Sequence, residues 1–282
     1  RVFDRLSHRA QALVSSLSGS SRKAIFAALA GNSLISAVKF SAAAYTGSSA
    51  MFSEGIHSLV DTGNQILLLW GLKQARKPAS AEFPFGHGKE VYFWSFIVAM
   101  LIFALGGAAS IYQGVQHLDH AEPLSNTFVN FIVLGLALVF ELAALSIAVK
   151  ELNKSRGDQG WLQTVRNGKD PTLFVVVFED TAATLGLLIA LTGLVMFELT
   201  GEVAYDAGAS IAIGCVLILS AFWLALESKG LLIGESASPV VRAQIRSILE
   251  LQANVVAVNE IATLHMGPDY ILVTLSADFI DG

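Results

Sequence analysis

His57 and Asp61 stand four residues apart in the apolar stretch "SEGIHSLVD", and Glu54 stands three before the histidine. On a helix these spacings put all three on one stripe. An imidazole beside carboxylates can hold a divalent cation. Because histidine titrates near neutral pH and metal binding releases ligand protons, the same group can exchange cation for proton. Further along, Glu141 is the single carboxylate of another apolar run, and Glu179 with Asp180 interrupts a third. An ionised side chain near a bilayer centre costs about 2.5–3.5 kcal/mol on insertion scales, so such residues predict a function. The plain alternative for any one of them is a neutral carboxyl, or a histidine bonded between helices.

Composition names the elements that must position these residues. The chain has 282 residues, 54% of them hydrophobic and 15% charged, with mean hydropathy +0.60. A soluble domain carries about 25% charged residues, so a membrane protein built on runs of about 20 apolar residues is predicted. Six runs are long enough, at 24–46, 51–72, 90–112, 127–149, 172–196 and 206–227. The connections after the first, third and fifth hold no Lys or Arg, whereas the other side holds 17 of the 18 basic residues. The remaining one, Lys39, lies inside the first run and is expected to pair with a carboxylate or to snorkel. The positive-inside rule then puts both termini in the cytosol or the matrix.

Threaded this way, Asp61, Glu141 and Asp180 fall roughly 12–17 Å from the inner edge of a hydrocarbon core about 30 Å thick. His57 lies one turn further out. Three helices thus carry ligand-type side chains into one slab near the midplane. Glu179 and Asp180 are adjacent and point about 100° apart, so one of them is expected to face the slab, with Asp180 the choice. Glu54 lies nearer the outer end, at the rim of the site or facing solvent.

Three domains are expected: an N-terminal segment 1–23, a six-helix membrane domain 24–230, and a C-terminal α+β domain 231–282. The first is an amphipathic surface helix or a mobile tail, and no cleavable signal peptide is read in it. The tail shows a Ser238 cap, Pro239 at the first helical position and an apolar helical stripe, then two strands around Gly267-Pro268-Asp269. One helix and a hairpin bury too little to stand alone, so the domain continues or pairs with a second copy. The loop "NKSRGDQGWLQTVRNGKD" is expected to hold a short helix. Cys215 is the single cysteine and excludes an intrachain disulfide.

Several motifs carry a family resemblance. "VKFSAAAYTGSSAMFSEGIHSLVDTGNQ", the "FGHGK" before the third run and "ED" in the fifth occur in this order. From about Ser21 onward the chain resembles the cation diffusion facilitators, metal-exporting transporters with a ferredoxin-like cytosolic tail. The resemblance implies an α-helical polytopic membrane protein of six transmembrane helices with a partial ferredoxin-like domain, assembled as a homodimer. It also implies a tetrahedral midplane site at His57, Asp61, Asp180 and the position of Val176. Valine cannot bind metal, which matches a branch with "ED" in the fifth span and a glutamate in the fourth, and proteins linked to mitochondrial zinc belong to it. Glu141 or Glu179 would then replace the missing ligand. In "FPFGHGK", Gly86 and Gly88 make a turn and Lys89 anchors at the interface, with His87 a lesser metal candidate. His265 reads as a structural residue of a strand.

The expected function is therefore export of a divalent metal in exchange for protons, with metal candidates His57, Asp61, Asp180, Glu141, Glu179 and Glu54. No resident cofactor and no nucleic-acid partner are expected. Ligands of His and carboxylate without thiolate suit zinc, manganese, cobalt or iron(II), and the family favours zinc. The membrane is a bacterial plasma membrane or an organellar inner membrane. A cation channel is the alternative, although a channel wants polarity along the whole pore. An intramembrane hydrolase is disfavoured because neither a His-Glu-x-x-His nor an aspartyl-protease motif is present.

Overall fold

The computed structural model describes residues 29–120, 124–156, 171–268 and 270–280. Segment 1–23, read as a surface helix or a mobile tail, and the short helix expected in the 153–170 loop lie wholly or mostly outside these residues. A first helix, α1, covers 29–46. It is followed by α2 (Ser49–Ala75), α3 (Glu90–Asp119), α4 (Thr127–Arg156), α5 (Pro171–Thr200) and α6 (Ala204–Ile233). The tail holds α7 (Pro239–Glu250) and the strands β1 (Val255–Gly267) and β2 (Tyr270–Phe279).

Among the described residues, four helices are long and apolar enough to cross a membrane: Glu90–Asp119, Thr127–Asn153, Val176–Thr200 and Ala204–Ile233. The expected count of six is not reached on length and composition. Of α1, 18 residues are described. In α2 the apolar run is broken by Glu54, Asp61 and Lys73. The residues that make α2 interesting are the ones that make it a poor span. The helices also outrun the expected apolar runs at their ends, α3 by a full turn and more, because helical hydrogen bonding continues into the polar rim.

α2 starts sharply. Gly47 adopts φ +76°, a left-handed conformation that ends α1, and its N–H donates to the Ala43 carbonyl at 2.9 Å. Ser48 then caps α2, its side chain accepting from the Met51 N–H at 3.1 Å. The hairpin is tied together again inside, where Ser36 Oγ donates to the Gly55 carbonyl at 3.2 Å.

α6 is the central post, packing on α2, α3 and α5. Against α3 the approach is close: a Cβ at Gly114 would sit 2.7 Å from the Ala207 carbonyl, and one at Gly214 would sit 2.7 Å from that of Gly107. Small residues thus let two membrane helices touch along their backbones. The same stretch of α3, Ile102–Ala108, is wound as a π-helix. α4 packs on α5 and turns Phe128, Val139, Phe140 and Ile147 outward, as a lipid-facing helix does.

The tail holds the expected elements. Ser238 accepts from the Val241 N–H at 3.4 Å, and Pro239 follows it. β1 and β2 pair antiparallel, His265 opposite Ile271, in a two-stranded sheet. The hairpin meets the membrane domain at the "FGHGK" loop. A Cβ at Gly88 would lie 2.2 Å from the Met266 carbonyl oxygen, so glycine is needed for the contact.

Candidate metal site

α2 presents one polar stripe to the bundle interior. Its period puts Glu54, His57, Asp61 and Asn64 on the same side. His57 is 2% exposed and Glu54 and Asn64 are fully buried. His57 Nδ1 lies 3.3 Å from Asp61 Oδ1, and the Asp61 side chain is 20% exposed. His57 Nε2 is buried without a hydrogen-bond partner. A neutral imidazole has one lone pair to give, and here a buried ring nitrogen beside a carboxylate has nothing to give it to.

The fifth helix reaches α2 through Glu179, whose Oε1 accepts from Asn64 Nδ2 at 2.8 Å. Glu179 is 8% exposed, and Asp180 next to it is half-buried. Glu141 on α4 is half-buried too. Both Glu141 and Asp180 lie within electrostatic reach of Asp61 and of His57, as does Glu179. Three helices therefore bring four carboxylates and one imidazole into a single field. Among the described residues, no three His, Cys, Asp or Glu side chains converge closely enough to hold a metal ion. Val176, one turn before Asp180 on α5, is half-buried.

Glu54 does not face solvent. Its Oε2 accepts from Lys39 Nζ at 2.9 Å, and the two side chains are 0% and 4% exposed. Lys39 also donates to Ser58 Oγ at 2.9 Å. Of the two roles open to Lys39, pairing with a carboxylate is the one observed. A buried ammonium so far from water needs an anion, and Glu54 is one turn from His57.

Two other histidines singled out in the sequence lie elsewhere. His87 stands in the loop before α3, its ring 4.6 Å from that of Phe83. His265 is buried on β1, and its N–H donates to the Glu235 carbonyl at 3.1 Å. Two polar residues of the interior escaped the sequence reading. Asn64 could have been found, since it continues the stripe three residues after Asp61. Asp206 is 1% exposed and bonded to the start of α2, and it stood at the edge of an apolar run with no local sign of its partners.

Residues 25–233 match the family model of the cation efflux transmembrane domain. The chain is 34% identical over 260 residues to the "Proton-coupled zinc antiporter SLC30A9, mitochondrial" of Mus musculus, covering 91% of the chain and 46% of that protein. It is 32% identical over 263 residues to "Metal tolerance protein C4" of Arabidopsis thaliana, covering 92% of the chain and 57% of that protein. It is 25% identical over 247 residues to the "Cation-efflux pump FieF" of Klebsiella pneumoniae, covering 87% and 77%. The chain thus spans about half the length of the first of these relatives.

Proposed function

The chain belongs to the cation diffusion facilitator family, and from that premise we propose that it exports a divalent metal cation, zinc first, in exchange for protons. The cation is held by His57 and Asp61 of α2, Asp180 of α5 and a carboxylate from α4 or α5. The observation that carries this reading is the unpartnered Nε2 of His57, buried beside Asp61 and within the field of Glu141, Glu179 and Asp180. Names of relatives that are zinc antiporters and cation-efflux pumps support it. The ionisable groups of α2, α4 and α5 gather in one field around Asp61 and His57 rather than along a whole pore, which favours a transporter over a channel.

His57 must be neutral to donate its lone pair, so the arriving cation displaces a proton from the histidine or from a neighbouring carboxyl. On release to the other side the vacated groups take up protons again. The two fluxes share one set of atoms, and exchange follows without a second site. Rocking of α2 and α5 against their neighbours would expose the set first to one face and then to the other. Six spans, termini on the cytosolic or matrix side, and a homodimer complete the proposal, in a bacterial plasma membrane or an organellar inner membrane.

The experiment is zinc flux in proteoliposomes under an imposed proton gradient. Uptake should require the gradient and dissipate it. Asp61→Ala should abolish uptake in a protein that remains monodisperse and inserted. Wild-type flux from Asp61→Ala would put the site elsewhere, and uptake indifferent to the gradient would favour the channel. A panel with manganese, cobalt and iron(II) ranks the metals.

A further inference from the structure

The Lys39–Glu54 pair is more than a buried charge pair, because of where its members point. Lys39 Nζ bonds Glu54 Oε2 and Ser58 Oγ, one helical turn apart on α2 and flanking His57. Glu54 Oε1 is buried and has no hydrogen-bond partner. That oxygen faces α5 at Gly186, where a Cβ would lie 2.4 Å from it. Glycine there leaves the notch that the carboxylate fills. Both Glu54 and Lys39 are within electrostatic reach of His57.

A carboxylate with one unsatisfied oxygen, one turn from a histidine ligand, is a cation ligand unless its charge is already balanced. Here Lys39 balances it. Affinity for a divalent cation rises with the number of charged ligands. A carrier must also release what it binds, so an extra anionic ligand slows turnover.

We propose that Lys39 sets the affinity of the cation site by neutralising Glu54 and so keeping it out of the ligand set. The inference rests on His57 and Asp61 being the site. It gives the intramembrane lysine a role that repulsion of the cargo alone would make harmful. Lys39 is tied down on Glu54, and its charge is cancelled before it reaches the site.

The test is a charge cycle read by zinc calorimetry on purified protein and by zinc flux in proteoliposomes. Lys39→Met should bind zinc about tenfold tighter and transport it more slowly, because Glu54 is released towards the site. Glu54→Gln should bind zinc about tenfold more weakly, because an uncancelled ammonium now faces the cation. The double variant carries no stranded charge, and its affinity should return towards the parent by at least about threefold from either single variant. A double variant as weak as Glu54→Gln would show that Glu54 is itself a ligand, which overturns the proposal. Parent affinity in Lys39→Met would overturn it as well. If Lys39→Met does not fold, Glu54→Gln against the double variant still decides. Asp61→Ala in the same calorimeter separates the premise: if it binds zinc as the parent does, the site reading fails and the proposal falls with it.

Discussion

The carboxylate of Asp206 accepts the backbone N–H of Ser49 at 2.6 Å, so the first turn of α6 caps the helix that carries His57 and Asp61. Its Oδ2 also takes Ser49 Oγ at 2.7 Å and the Ala50 N–H at 3.2 Å, and its Oδ1 takes Ser48 Oγ at 2.5 Å. His117 Nε2 of α3 stands 3.8 Å away. A helix N-terminus carries partial positive charge and unpaired N–H groups, and a buried anion answers both.

Asp206→Ala strands those donors in an apolar setting. It should cost about 2–4 kcal/mol, the sum expected for a lost cap and a lost charge-assisted bond. Asp206→Asn keeps one acceptor and should cost about half as much. Thermal unfolding in detergent reads the difference. Parent-like stability of Asp206→Ala would mean that the cap is dispensable.

A second prediction separates the two glutamates that could stand in for Val176. Glu179 is already engaged, since Asn64 donates to its Oε1. The carboxylate of Glu141 makes no hydrogen bond among the described residues, yet it lies in the field of Asp61 and His57. Glu141→Gln should therefore lower zinc affinity by tenfold or more with normal folding, and Glu179→Gln should lower it less. The reverse order in zinc calorimetry would assign the fourth ligand to Glu179.

These residues also show what a single sequence carries. Four helices of the bundle were legible as spans because long apolar runs have few other solutions in a bilayer, and the α2 stripe because spacing of three and four is a local property. Ser238 with Pro239 marked the start of α7 for the same reason. What escaped was long-range. Nothing near Asp206 says that its partners are at Ser48 and Ser49, more than 150 positions earlier. The side chain of Glu54 was ambiguous because the lysine that binds it stands on another helix. Adjacent Glu179 and Asp180 could be told apart only by the partner, Asn64, that one of them meets. Depth along a helix is legible, whereas azimuth between helices is not.

A third prediction concerns assembly. The tail is one helix on a two-stranded hairpin, which is marginal by itself. Leu251 is 83% exposed and Val256 65%. Pairing with a second copy would cover such residues, and twice the chain mass is expected in lipid nanodiscs. Replacing Leu251 and Val256 by Ser should shift that mass towards the monomer. A monomeric parent protein would count against the pairing.

The last prediction addresses the joint between tail and bundle. Backbone and polar contacts meet there, beside Leu264 of β1, which packs against Gly234 at the end of α6. Gly88 packs its Cα against the Met266 carbonyl and Gly267. Lys89 Nζ donates to the Leu232 carbonyl at 3.3 Å, at the C-terminal end of α6 where a cation suits the helix dipole. The His265 N–H donates to the Glu235 carbonyl at 3.1 Å. Of these, Gly88 has no slack. The atoms that a Cβ would meet belong to backbone, which cannot rotate aside as a side chain does. Gly88→Ala must push β1 away from the loop. Since the loop joins α2 to α3, the displacement should be felt at the C-terminal end of α2. Limited proteolysis should then cut between α6 and α7 faster than in the parent, by about tenfold if the joint opens by about 1.4 kcal/mol. Lys89→Met should act in the same direction and more weakly, because it removes one bond and inserts nothing. If Gly88→Ala is cut no faster than the parent, the tail is held by something other than this joint.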